Sequence, residues 1–151
     1  MATWREFAHA SPEIAEAGKR LMHQFGVAQA FLATIRADGG PRLHPVCPVL
    51  TDAGLYVFVM PTSPKRSDLL RDGRFALHTH QPPEGDEEFY CTGGSRLIAD
   101  PDARAEIAGA ATHHVQDDEV LFELLPERAL HTTWENWPTP EMRPIHTTWR
   151  G

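Results

Sequence analysis

Thr62-Ser63-Pro64-Lys65-Arg66 sets two hydroxyls, a proline and two cations side by side, a combination suited to holding a phosphate. A helix opening at Pro64 would aim its amino-terminal dipole at an anion. Thr62 and Ser63 would donate hydrogen bonds, and Lys65 and Arg66 would neutralise charge. His44-Pro45-Val46-Cys47-Pro48 is a second unusual run. Two prolines in one strand remove ladder donors, so the segment is expected at an edge, with main-chain groups free to face a ligand. The chain also has nine histidines, which raise metal and haem ligation. His78-Thr79-His80 would put two rings on one strand face, but no acid or thiol stands at a usual third-ligand spacing, and no metal is expected. His44, His131 and His146 each stay open as the axial ligand of a haem. No nucleophile–base pair and no carboxylate pair has a specific signature, which suits chemistry performed by a cofactor.

Positioning these residues requires strands joined by tight turns. Strands are expected at Phe31–Arg36, Arg42–Leu50 and Leu55–Met60, with turns at Ala37-Asp38-Gly39-Gly40 and Asp52-Ala53-Gly54. Further strands are expected at Phe75–Thr79, Glu88–Ile98 and Val120–His131, with a short helix after Pro101. A helix from Pro12 to about Phe25 would place Ile14, Ala17, Leu21, Met22 and Phe25 on one stripe, stop at Gly26 and cover an open end of the sheet. Ser11-Pro12, Ser63-Pro64 and Asp100-Pro101 share one helix-start device, a capping oxygen before a proline that has no N–H to leave unpaired. Short connections between strands indicate antiparallel pairing, and the class is mainly β, a small barrel flanked by helices. The segment holding Trp134, Trp137 and Trp149 is interrupted by prolines. It is expected to lack regular structure and to dock through its aromatic rings.

The bulk properties narrow the partners. A chain of 151 residues suits a single domain, 1–151, that folds without disulfides or a structural metal. A formal charge of −7 with no block of Lys and Arg argues against nucleic acid and against an anionic membrane surface. No apolar run approaches the ~20 residues of a membrane span, and the first residues lack the pattern of a secretory signal. A cytoplasmic location is therefore expected. Cys47 and Cys91 sit in apolar strand-like runs and read as buried free thiols.

Leu32-Ala33-Thr34-Ile35-Arg36, Asp38-Gly39, Pro41, His44-Pro45-Val46 and Ser63-Pro64-Lys65 follow one another in an order that resembles the pyridoxamine 5'-phosphate oxidase-like FMN-binding proteins. The resemblance is strongest from Phe31 to Asp100, and the remainder is similar to small actinobacterial-type members. It implies an antiparallel split β-barrel with an N-terminal covering helix and a C-terminal docking tail. It further implies a homodimer with cofactor sites between protomers, a small-molecule substrate, and flavin-dependent oxidoreductase chemistry with hydride transfer at N5. The residues it marks for FMN are Arg36, His44, Pro45, Val46, Val59, Met60, Thr62, Ser63, Lys65, Arg66 and Trp137; Arg143 and His146 are marked for substrate. True oxidases carry Arg where His44 stands and S-R-K where Ser63-Pro64-Lys65 stands. Their Trp is followed by R-x-H, whereas here Trp137 precedes Arg143-Pro144-Ile145-His146, with the histidine one place late. These departures argue against pyridoxamine phosphate as the substrate. The alternatives are a deazaflavin-dependent reductase, which needs more cations than the scattered Arg36, Arg42, Lys65, Arg66, Arg71 and Arg74 supply, and a non-enzymatic flavin- or haem-binding protein.

Overall fold

Alternating apolar residues drive most of the chain into strands, and the computed structural model describes all of residues 1–151. The strands are β1 (Ala30–Ile35), β2 (Pro41–Val46), β3 (Val49–Leu50), β4 (Leu55–Val59), β5 (Arg74–Thr79), β6 (Glu88–Ile98), β7 (Val120–Glu135) and β8 (Arg143–Arg150). The helices are α1 (Trp4–Ala10), α2 (Pro12–Met22), α3 (Pro64–Arg71) and α4 (Pro101–Gly109). Every strand pair is antiparallel. The sheet runs β2-β1-β5-β6-β7-β4-β3, with β8 also on β7. Its end strands β2 and β3 do not pair with each other, so the barrel stays split, in the expected class.

β7 holds the two halves together. One of its edges pairs with β6 from Leu121 to Thr132, while the other pairs with β4 from Val120 to Leu124 and then with β8 from Arg128 to Glu135. The change of partner falls where the β6–β7 register shifts, with Glu127 of β7 left unmatched opposite the Thr92–Gly93 step. A Cβ at Gly93 would lie 1.9 Å from the Leu125 carbonyl oxygen, so only glycine lets the two backbones approach this closely.

The inner face of the sheet is sealed by α1 and α2. Trp4, Phe7, Ile14, Leu21 and Met22 join Leu32, Leu77, Phe89 and Leu124 in one buried cluster. Trp149 of β8 docks on Phe7 with ring centroids 4.7 Å apart, and Trp4 meets Phe7 edge-on at 5.1 Å. α4 covers the opposite face beyond the register shift, where Ile107 packs with Val49, Tyr56 and Leu121. No helix is long and apolar enough to cross a membrane.

Several expectations change. The tail beyond Trp137 is regular, because β8 is an edge strand and an edge tolerates Pro144. The run Arg42–Leu50 divides into β2 and β3, since Cys47 and Pro48 leave the ladder. α1 was not expected; Thr3 and Glu6 form a reciprocal capping box that starts it. α2 stops at Met22, and Phe25 lies beyond it, 48% exposed. Ser63 and Asp100 cap their helices as expected. Ser11 makes no side-chain cap, because it terminates α1 by donating its N–H to Phe7 (2.8 Å). Cys91 is buried, whereas Cys47 is half-buried.

Candidate functional site

The amino-terminal end of α3 packs beside β1 and β2, and the alternation of β2 turns Arg42, His44 and Val46 to one face. Register places Thr34 opposite Arg42 and Leu32 opposite His44. Asp68, on the inward side of α3 and 3% exposed, ties these elements together. Its Oδ2 accepts from Arg42 Nε (2.7 Å) and Thr34 Oγ1 (2.9 Å), and its Oδ1 from an Arg71 guanidinium nitrogen (3.1 Å). Arg71 also donates to the Ile35 carbonyl. Burial alone would raise the Asp68 carboxyl, but the hydrogen bonds from Arg42, Thr34 and Arg71 outweigh it and hold the group below its ordinary range.

The cations divide into paired and unpaired. Arg42 and Arg71 are engaged by Asp68, and Arg36 by Asp38 (2.6 Å) across the β1–β2 turn. Lys65 and Arg66 are in none of the ion pairs of the chain. Arg66 Nε is buried without a hydrogen-bond partner. Burial, and then the charge of Arg42, lower the Lys65 ammonium. Burial, then Lys65 and Arg42, likewise lower the His44 imidazole. Cations gathered with no counter-charge form a ready site for an anion.

Main-chain donors at this end contribute less than the sequence suggested. The Lys65 N–H donates to Ser63 Oγ (3.4 Å) and the Arg66 N–H to the Ser63 carbonyl (3.0 Å). Thr62 is exposed and Ser63 half-buried. Side chains therefore carry most of the anion-holding capacity.

The remaining marked residues fall in three places. Pro45 and Val46, with Gln29, Cys47 and His80, line a cavity of about 380 Å³ at the end of β2. Val59 is enclosed in the core at 1% exposed, which leaves only its main chain to border a ligand, while Met60 is exposed. Trp137, 41% exposed, lies on the β7–β8 hairpin, where its Nε1 donates to Asp86 (3.3 Å). Arg143 pairs with Glu135 (2.6 Å), and His146 Nδ1 meets the Thr132 hydroxyl (2.9 Å). Between β2 and β8 stand β1, β5, β6 and β7, five spacings of ~4.8 Å each. Along the sheet the hairpin residues thus stand at the far side of β7 from β2.

The histidines sort in the same way. His131 Nε2 meets Glu87 (2.7 Å), and His78 Nε2 meets Glu88 (3.0 Å). His80 stacks on Phe31 with ring centroids 4.3 Å apart, so the two rings of the expected pair have different partners. Missing from the sequence reading was Asp68, whose one local signal is its spacing of three from Arg71 on a helix.

No protein-family model and no curated protein matches the chain. Solved structures do. A heme-binding protein from Mycobacterium smegmatis aligns with TM-score 0.60 at 16% identity, over 85% of this chain and 57% of that one. HutZ, a heme storage protein from Vibrio cholerae, aligns with TM-score 0.56 at 17% identity, over 78% and 89%. A Listeria innocua protein named for pyridoxamine 5'-phosphate oxidase aligns with TM-score 0.60 at 16% identity, over 74% and 91%. The chain therefore has the split-barrel fold of the pyridoxamine 5'-phosphate oxidase-like proteins, and it spans little more than half the length of the mycobacterial protein.

Proposed function

We propose that the chain is a single FMN-binding domain that acts as a flavin-dependent oxidoreductase on a small molecule other than pyridoxamine phosphate. The observation that carries this reading is the pair Lys65 and Arg66, unpaired at the start of α3, with Arg66 Nε buried and lacking an acceptor. A phosphate group fits that need. Lys65, Arg66 and the Thr62 and Ser63 hydroxyls would hold it, while Asp68 keeps Arg42 and Arg71 fixed behind them. His44, Pro45 and Val46 would border the planar ring along the β2 edge. FMN, when bound, supplies hydride exchange at N5; the protein supplies orientation and exclusion of water.

A homodimer completes the site in this reading. Phe31, Ile35, Leu43 and Pro45 lie on the face of β1 and β2 turned away from the core, and Leu43 is 65% exposed. Covering that face with a second copy would bury it and let the partner's hairpin supply the residues that one chain holds at the far side of β7 from β2. Two free cysteines suit a reducing cytoplasm.

The test is FMN titration of Lys65→Ala. Losing one charge-assisted hydrogen bond weakens binding by about 1.5–3 kcal/mol, or roughly 10- to 150-fold. Wild-type affinity in that variant would remove the phosphate role.

A haem reading has one observation of its own. Of the three histidines considered as axial ligands, His131 and His146 are hydrogen-bonded to neighbours, whereas His44 makes no side-chain hydrogen bond and is biased toward the neutral, ligating form. Visible spectra recorded after adding FMN, a deazaflavin and haemin separately distinguish the readings. A Soret band lost in His44→Ala would favour haem; a flavin double band that survives gel filtration would favour FMN.

A further inference from the structure

The outer face of β6, β7 and β8 carries a second group of cations, remote from α3. Arg128 of β7 stands directly opposite Arg150 of β8. Like charges at paired positions destabilise a sheet, yet neither guanidinium is in an ion pair. The same register puts Tyr90 and Thr148 on this face, flanking Leu130. Arg128, Arg150, Tyr90 and Thr148 share the wall of one concavity of about 460 Å³. An adjoining hollow of about 380 Å³ shares Tyr90 and Arg128 and adds Thr92, Arg74 and the acidic Glu127. Asp72 already engages Arg74, through Nε at 2.6 Å and a second nitrogen at 2.8 Å. The uncompensated charge is therefore that of Arg128 and Arg150. A chain of net charge −7 has acidic residues to spare, yet pairs none with either arginine, and Glu127 beside Arg128 is in no ion pair.

We propose that this concavity binds a small phosphate-bearing molecule, independently of the flavin site. Two exposed arginines lining one concavity suit the oxygens of a phosphate, which a planar guanidinium can grip with two N–H groups. The Tyr90 ring and the Thr148 hydroxyl give such a molecule an apolar wall and a further donor. The volume falls within the range of small-molecule sites.

Titration of the intact protein with inorganic pyrophosphate, in low-salt buffer free of phosphate, tests this. Arg128→Gln and Arg150→Gln should each weaken binding by about tenfold or more, the loss of a charge-assisted hydrogen bond. Lys19→Gln, as a control for general charge, should stay within about twofold of wild type, as distant independent sites do, and the losses in the arginine variants should persist when they are combined with Lys65→Ala, which removes any anion held at α3. Melting curves supply the second measurement. Without ligand, Arg150→Gln should melt no lower than wild type, because a repulsion has been removed, and it should lose the upward shift that pyrophosphate gives wild type. Wild-type affinity in both arginine variants overturns the proposal, and so does the absence of any pyrophosphate response in wild type. Loss confined to Lys65→Ala also overturns it and assigns the anion to α3, whereas a flavin reading that fails with this site intact leaves it standing.

Discussion

Replacing Asp68 by Asn tests whether one buried carboxylate organises the cation group. The substitution keeps the shape and removes the charge, and it turns an amide N–H₂ or a neutral oxygen toward donors on Arg42, Arg71 and Thr34, which now hold Oδ2 at 2.7 and 2.9 Å and Oδ1 at 3.1 Å. Breaking a buried pair commonly costs 3–5 kcal/mol. Both arginines reach solvent here, with side chains 28% and 41% exposed, and can rehydrate, so the expected loss is smaller, about 2–3 kcal/mol. For a chain of this size that corresponds to a fall in Tm of roughly 5–10 °C at pH 7. The pH dependence has a definite sign. The folded carboxyl titrates below its ordinary range, so the unfolded state binds more protons in acid. Its contribution is complete above the unfolded value of about 3.9 and disappears as pH falls through the lower, folded value. Thermal melts of wild type and Asp68→Asn from pH 7 to pH 2 should therefore converge toward the acid end. A shift under ~2 °C at pH 7, less than about 1 kcal/mol for such a chain, or a gap that stays constant into acid, would refute the reasoning.

Other outcomes follow from single sites. Gly93→Ala should destabilise the fold by about 3 kcal/mol, because its Cβ meets a main-chain oxygen that cannot move aside; a melt within 2 °C of wild type, under about 1 kcal/mol, would contradict that. His44 should titrate, by NMR of its ring protons, below the ordinary imidazole value of about 6.5, and its midpoint should rise in Lys65→Ala, since burial and then the Lys65 charge depress it. An unchanged midpoint would separate the two residues. Burial pushes the Cys91 thiol up to about 12, so a disulfide reagent should modify only Cys47 in the native protein and both cysteines after denaturation. Two fast thiols in the native state would show that Cys91 is open to solvent.

The strands were legible because β1, β2 and β5 alternate strictly between the two faces, and a period of two is a local signal. The Thr3-x-x-Glu6 spacing that starts α1 was equally present in the chain; a helix of seven residues around Trp4 and Phe7 gave too short a stripe to stand out. β8 was obscured by its prolines, whose cost depends on whether a strand is central or at an edge, a tertiary fact. The residues proposed to hold a phosphate were legible up to α3, as Ser63-Pro64-Lys65 marks a helix start by itself. Arg42 and Asp68 lie 26 residues apart and meet only because β2 and α3 pack on the same end of β1. Trp137, Arg143 and His146 were matched by spacing along the chain, which carries no information about the four strands that stand between β2 and β8.

The place of β7 in the sheet also bears on synthesis. Leu55–Val59 of β4 has no partner on one side until Val120–Leu124 has been made, about 60 residues later. At 5–20 residues per second that interval lasts roughly 3–12 s. Throughout it, the nascent chain presents Leu55, Val57 and Val59 on an unpaired strand edge, the kind of surface that recruits neighbouring chains. Slowing the ribosome between codons 60 and 120 should thus lower soluble yield, while the same delay beyond codon 135 should not.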